Sequence, residues 1–100
     1  MINEHLRGTG NLWLNGKLIR RGLRYDVRKE QHGVMGRITG RIHVDPLGDG
    51  MTLMTMEGNG EPNSDLVLEL EDGRRWHCVL KNNQGELLNR DGFEDPQKGR

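Results

Sequence analysis

Alanine is absent from this chain, whereas glycine makes up 15 of its 100 residues. Alanine is the strongest helix former and glycine one of the weakest, so this composition argues against long helices. Aromatic residues are 4% and hydrophobic residues 32% of the sequence, which is enough for only a thin core. The composition therefore favours a single small domain with one layer of aliphatic side chains between sheet surfaces.

Cysteine and serine each occur once, as Cys78 and Ser64. A single cysteine excludes an intramolecular disulfide framework. Ser64 lies in a predicted loop, and no histidine has a spacing that indicates a catalytic partner for it. The sequence has no apolar run of the ~18 residues that a membrane-spanning helix needs, and its first residues lack the layout of a signal peptide. We therefore expect a cytoplasmic protein that is not an enzyme.

The clearest structural signal is the alternation between Val34 and Val44. Its even positions are apolar or glycine, and its odd positions are mostly polar or charged. Successive side chains of a strand point to opposite faces, so this alternation predicts one long strand with a buried and an exposed face. The exposed positions are Met35, Arg37, Thr39, Arg41 and His43.

A hairpin precedes this strand. Asn15-Gly16 is a strong two-residue turn signal, because both turn positions favour positive φ. The strand before it is predicted from Asn11 to Leu14. The alternation of the returning strand blurs at residues 20–22, which predicts a bulge or a bend.

The returning strand regains its alternation at Leu23, Tyr25 and Val27. If it pairs antiparallel with the strand at residues 34–44, these three side chains share the core face with Ile38 and Ile42. The opposite face of the pair then carries Arg24, Arg28, Arg37 and Arg41. Four guanidinium groups on one sheet surface are the sharpest collective feature of the sequence.

The hairpin around Asp72-Gly73 has two possible registers. A two-residue loop would place Trp76 opposite Glu69. A three-residue loop at 71–73, with Gly73 in a left-handed conformation, instead places Glu69 opposite Arg75, a favourable cross-strand charge pair. Because it also pairs apolar side chains with each other, we predict the three-residue loop. The resulting core pairs are Leu66 with Cys78 and Leu68 with Trp76.

The remaining segments complete an all-β prediction. Residues 45–50 have the composition of a turn, and residues 51–56, apolar on both sides of the alternation, predict a fourth strand. A loop over 58–64 and a last strand over 86–90 complete the chain. The sequence thus predicts a small antiparallel barrel or sandwich of about seven hairpin-linked strands.

The predicted strands fall within one β domain at residues 10–90. The residues on either side of it are largely polar. We expect residues 1–9 to be a flexible N-terminal segment and residues 91–100 a flexible C-terminal tail.

The candidate metal ligands do not form a recognisable site. Cys78 lies on the predicted core face and His77 beside it points to the other face, so the two cannot readily bind one ion. His43 and Asp45 supply only two ligands. The sequence therefore predicts no metal site and no cofactor, and it favours a structural thiol at Cys78.

The charges are balanced over the whole chain but unevenly distributed along it. Basic residues dominate from Lys17 to His43, and acidic residues alone occur from Glu57 to Asp72. The two segments could neutralise each other, within one domain or between two subunits. Alternatively, the basic segment could bind an anionic partner. The thin core and the methionine-rich stretch at 51–56 favour association, so we expect a role in protein–protein interaction or self-association.

An alternative function is binding of an anion or a nucleotide. The candidate ligand-binding residues are Arg20, Arg24, Arg28, Arg37 and Arg41, and Trp13 is the candidate stacking platform for a nucleic acid. Arg20 and Arg24, followed by Asp45 and Gly50, resemble the two short motifs of the PilZ domain, with Leu47 where that family has serine. The resemblance implies a small β-barrel that binds cyclic di-GMP.

Overall fold

Six antiparallel strands and one short helix form the protein in the computed structural model, which describes residues 2–56, 58–59 and 61–95. The elements are β1 (Ile2–Leu14), β2 (Lys17–His32), β3 (Met35–Ile42), α1 (Asp49–Thr55), β4 (Leu66–Glu69), β5 (Arg75–Leu80) and β6 (Glu86–Glu94). The strands close into a barrel in the order β1-β2-β3-β6-β5-β4. The all-β class is confirmed, and of the two predicted architectures the molecule adopts the barrel.

The β1–β2 hairpin turns where the sequence predicts. Asn15 and Gly16 have φ angles of 52° and 80°, the left-handed pair that a tight hairpin needs. The predicted irregularity is a bulge at Gly22, whose φ is 66°. Gly10 pairs with Leu23, whereas the next inward residue of β1 pairs three positions earlier in β2. The bulge therefore changes the direction of the side chains that precede Gly22.

The predicted register of the β4–β5 hairpin is confirmed. Leu66 pairs with Cys78, Leu68 with Trp76, and Glu69 with Arg75. The backbone N–H of Leu70 donates to the carbonyl of Arg74 at 2.8 Å, which closes a three-residue loop. Gly73 in that loop has a φ of 90°. Burial of apolar side chains on one face therefore determined the register.

Trp76 occupies the centre of the barrel and is fully buried. A Cβ atom at Gly40 would lie 2.7 Å from the Trp76 ring, so β3 can pass the indole only because this position is glycine. The Trp76 Nε1 donates to Oδ1 of Asn89 at 3.0 Å, which satisfies the buried indole. The surrounding core consists of Leu12, Leu14, Leu23, Tyr25, Val27, Ile42, Leu53, Leu66, Leu68, Leu70, Cys78, Leu80 and Leu87.

The prediction of a strand at residues 51–56 was wrong, because this stretch lies mainly in α1. Gly50 and Leu53 are buried three residues apart, while Met51 between them is exposed, and this spacing corresponds to a helix face. The Thr52 and Thr55 hydroxyls donate to backbone carbonyls four residues earlier, at 3.1 and 2.9 Å. The apolar residues at both odd and even positions of 51–56 therefore belong to a short helix that packs on one end of the barrel. Its presence reduces the expected strand count to six.

Two strands extend beyond the expected domain bounds. β1 begins at Ile2 rather than near residue 10, and β6 continues to Glu94 rather than ending at residue 90. The alternation of apolar and polar residues is weak in these extensions, because glycine and glutamate occupy several inward positions that are usually apolar. Of the expected flexible ends, Met1 and residues 96–100 lie outside the described residues, as do Glu57 of the acidic segment and Gly60 of the loop.

The expected buried face of β3 exists only in its second half. Ile42 is fully buried and Ile38 half-buried, whereas Val34, in the turn before β3, is 97% exposed. Within residues 2–56, 58–59 and 61–95, β6 pairs with β3 only at residues 39–41, and no described strand adjoins the first half of β3 on that side. The β2–β3 hairpin therefore extends past the barrel.

Candidate functional site

The four arginines predicted to share one sheet face do share it. In the register of β2 and β3, Arg28 lies opposite Thr39 and Asp26 lies opposite Arg41. β1 adds a third strand to this surface, with Arg7 opposite Asp26 and Thr9 opposite Arg24. We call the outward side chains of Arg7, Arg24, Arg28, Arg37 and Arg41 the arginine face.

Asp26 lies at the centre of the arginine face. Its Oδ1 is hydrogen-bonded to Nε2 of His5, and its Oδ2 lies 3.6 Å from Nε of Arg7. Burial opposes ionisation, but the hydrogen bond from His5, helped by the charges of His5, Arg7 and Arg28, lowers the pKa of this carboxyl. Both carboxylate oxygens are therefore engaged by residues of β1.

A second carboxylate lies at the edge of the arginine face. Glu86 of β6 is opposite Arg41, and its Oε1 is 3.5 Å from Nη2 of that residue. The other oxygen of Glu86 is 3.7 Å from Nζ of Lys81. Together with Arg7 and Asp26, these side chains form a row of alternating charge across the strands.

Three members of the arginine face have no carboxylate partner. Arg24, Arg28 and Arg37 are exposed and make no ion pair with any residue that the structure describes. Arg24 is next to His43, whose backbone N–H donates to the Arg24 carbonyl at 2.9 Å. The face therefore presents unpaired guanidinium groups on a hydrogen-bonded sheet.

Arg20, the fifth predicted binding residue, lies apart from the other four. It precedes the Gly22 bulge, pairs with Leu12 in the register, and is half-buried. Its Nη2 is 3.4 Å from Oδ1 of Asp49, at the start of α1. The two motifs that resemble the PilZ domain thus meet through an ion pair, while Arg24 belongs to the arginine face.

Sequence reasoning missed several polar members of this surface. His5 and Arg7 lie in the segment that was expected to be flexible. Thr39 and His43 were on the exposed side of the alternation, which was the available signal for them, but they were not proposed as site residues. A shallow depression surrounds Thr39, and its lining includes Asp26, Arg28, Thr39, Arg41, His43 and Glu86.

The described carboxylates of the acidic segment form no ion pair with the arginine face. Asp65 is 2.8 Å from Nδ1 of His77, and Asp72 is 2.7 Å from Nε of Arg74. Glu69 accepts hydrogen bonds from the Asn11 amide and from Nε1 of Trp13, at 3.0 and 3.4 Å. These carboxylates lie on β4 and its flanking turns, which face away from β3 in the barrel order.

His77 is bound on both sides of its ring. Besides Asp65, it contacts Glu94, whose Oε2 is 2.9 Å from Nε2. Hydrogen bonds to Asp65 and then to Glu94 raise the pKa of His77 and outweigh the opposing effect of its partial burial. The imidazolium form supplies the two N–H donors that this arrangement requires.

The nucleophile candidates are held in structural roles. Cys78 is buried as predicted, and burial raises the pKa of its thiol to about 12. The Ser64 hydroxyl donates to the carbonyl of Glu61 at 2.8 Å. Among the described residues, no group of three His, Cys, Asp or Glu side chains is placed to hold a metal ion. Within the same residues, no helix has the length and apolar character needed to cross a membrane.

The aromatic side chains lie away from the arginine face. Tyr25 and Trp76 are in the core, as predicted, and Phe93 packs against that core. Trp13 is half-buried beside β4, with its indole N–H directed to Glu69. The surface can therefore contact an anion through charge and hydrogen bonds, without a stacking platform.

Comparison of the chain with models of protein families, with curated proteins and with solved structures finds no match.

Proposed function

We propose that this protein is a non-catalytic, cytoplasmic binding domain that docks an acidic surface of another protein on its arginine face. The observation that carries the proposal is the set of exposed, unpaired arginines Arg24, Arg28 and Arg37. A carboxylate of a partner can pair with each guanidinium bidentately, and the register of the sheet sets the spacing between the arginine backbones.

The alternating charges beside these arginines support a specific contact. Asp26 forms an ion pair with Arg7, and Glu86 forms one with Arg41, so the positions of these four charges are fixed before a partner binds. A partner must present carboxylates to the unpaired arginines and avoid placing them against Asp26 and Glu86. Such patterns contribute more to specificity and to the association rate than to affinity.

Self-association through the same face has less support than binding to another protein. The acidic side chains of Asp65, Glu69 and Asp72 already bind residues of their own chain. They also lie on the opposite side of the barrel, so a basic-to-acidic contact between copies would be head-to-tail, and such contacts form rings or filaments rather than a two-fold dimer.

A defined acidic peptide tests the proposal. A twelve-residue peptide rich in glutamate, and its glutamine counterpart, are titrated against the labelled domain at low and at physiological salt. We expect measurable binding of the glutamate peptide that weakens with salt. Arg24→Gln/Arg28→Gln should weaken it at least about tenfold, because each lost charge contact is worth about 1 kcal/mol or more.

The control is Lys17→Gln/Lys29→Gln, which removes the same net charge outside the arginine face, since Lys29 lies on the other face of β2. Equal loss of affinity in both double variants would mean that only net charge matters and would contradict the proposal. A mass that rises with protein concentration in sedimentation velocity, and that falls in the Arg24/Arg28 variant, would identify the partner as a second copy. Tighter binding of a short oligonucleotide than of the peptide would favour the nucleotide alternative.

A further inference from the structure

The depression around Thr39 brings together donors of three chemical kinds. Arg28 lies opposite Thr39, and Arg41 lies two residues further along β3 from it. His43 follows at the end of the strand, beside Arg24. Side chains at directly opposite and diagonal positions of an antiparallel pair lie within ~8 Å, so two guanidinium groups, a hydroxyl and an imidazole can reach one ligand.

The two carboxylates of this depression leave most of these donors free. Asp26 is engaged by His5 and Arg7 on the far side of β2. Glu86 contacts Nη2 of Arg41 through Oε1 at 3.5 Å and Nζ of Lys81 through Oε2 at 3.7 Å. Both distances are long for charged hydrogen bonds. Arg28 has no carboxylate partner among the described residues, and the side chain of Arg41 is half exposed.

The donor set fits a phosphoryl group better than a carboxylate. A carboxylate has two oxygens in one plane, and a single arginine can bind both. A phosphoryl group has three strong acceptor oxygens and a charge of about −1.5 to −2 near pH 7, so it can engage two guanidinium groups and a hydroxyl together. Clusters of arginine are the usual means by which proteins recognise phosphorylated side chains.

We propose that the depression around Thr39 binds the phosphoryl group of a phosphorylated residue on the partner protein, with Arg28, Arg41, Thr39 and His43 as its ligands. This inference rests on the proposed docking of a partner at the arginine face and gives that contact a chemical class. Arg28 and Arg41 carry the charge pairing, Thr39 donates its hydroxyl proton, and His43 donates a ring N–H.

The test compares three peptides that differ at one position. A seven-residue glutamate-flanked peptide carries phosphoserine, serine or glutamate at its centre, and each is titrated into the isotope-labelled domain while amide shifts are followed by NMR. We expect the phosphoserine peptide to bind at least about tenfold more tightly than the serine peptide. The largest shifts should occur at Thr39 and its cross-strand neighbours.

Variants of the depression test which residues give the preference for the phosphoserine peptide. Arg28→Gln should abolish the advantage of the phosphoserine peptide, and Thr39→Val, which keeps the shape and strand preference, should reduce it about threefold or more. Lys17→Gln is the control and should leave the advantage unchanged. Thermal melts of each variant confirm that the barrel is intact.

The outcomes separate this inference from the proposed function. If the phosphoserine and serine peptides bind the arginine face equally, the phosphoryl site is refuted while docking of an acidic protein stands. If none of the three peptides binds, both proposals fail. If ADP binds more tightly than the phosphoserine peptide, and if Arg28→Gln and Thr39→Val abolish ADP binding, the ligand is a free nucleotide. The inference of a protein-bound phosphoryl group is then overturned.

Discussion

The arginine face and the opposite side of the barrel differ in how their charges are matched. On the β4–β5 side, His77 lies between Asp65 and Glu94, and Arg74 lies between Glu4 and Asp72. On the arginine face, Arg24 and Arg28 have no such partners among the described residues. Matched charges fix turns and strand ends to one another, whereas unmatched cations contribute little to folding and remain available to a ligand. The difference distinguishes a structural surface from a candidate binding surface.

Charge reversal on the arginine face should have the largest effect on binding. Arg24→Glu/Arg28→Glu replaces attraction by repulsion, and we expect the affinity for the glutamate peptide to fall about 100-fold, or ~2.7 kcal/mol. The melting temperature should fall only slightly, since Arg24 and Arg28 are exposed and form no ion pair with the described residues, although the new carboxylates lie near Asp26. Isothermal titration and a thermal melt measure the two quantities. If Lys17→Glu/Lys29→Glu weakened binding as much, the assignment of the binding surface to the arginine face would fail.

Removal of a matched side chain should instead affect stability. His77→Ala deletes two charge-assisted contacts, and because both carboxylates are about half exposed we expect a loss of only about 1–2 kcal/mol in the free energy of unfolding. Arg28→Ala should cost less than about 0.5 kcal/mol, as is usual for an exposed side chain without such contacts. Urea denaturation of both variants provides the comparison. Similar losses of unfolding free energy in His77→Ala and Arg28→Ala would show that charge pairing does not distinguish the two surfaces.

The sequence predicted strand pairing that depends on burial of apolar side chains better than features that depend on a bulge or on a polar strand. The β4–β5 register followed from core pairs such as Leu68 with Trp76, because a one-residue slip would have exposed the core face. The partition of the arginines did not follow, because the Gly22 bulge directs Arg20 to Asp49. β1 was underestimated for a related reason: its first half has few apolar side chains, and its strand structure comes from pairing with β2.

Stability should depend on pH through His77. Its pKa in the folded protein is raised above the ordinary value of 6.5 by Asp65 and Glu94. The stabilising contribution is therefore fully present below about pH 6.5 and is lost as the pH rises through the raised folded-state value. We expect the melting temperature of the wild type to fall over this window relative to that of His77→Gln, which cannot titrate there. Parallel curves for the two proteins would exclude this role.

Asp26→Asn gives the most direct test of the central carboxylate. The substitution removes the negative charge among the arginines but keeps an oxygen that can accept a hydrogen bond from His5. The ion pair with Arg7 is partly exposed, so its loss should cost less than about 1 kcal/mol.

Binding of the glutamate peptide should become stronger in Asp26→Asn. Without the charge of Asp26, the potential around Arg28 and Arg41 becomes more positive, and we expect the glutamate peptide to bind about three- to tenfold more tightly at low salt. Glu71→Gln is the matched control, because it removes an exposed carboxylate of the β4–β5 turn that lies beside Gly8 on the inward face of β1, not on the arginine face. An equal gain in both variants would mean that the peptide senses net charge alone. A gain confined to Asp26→Asn would show that one carboxylate on this face limits how strongly its arginines bind an anion.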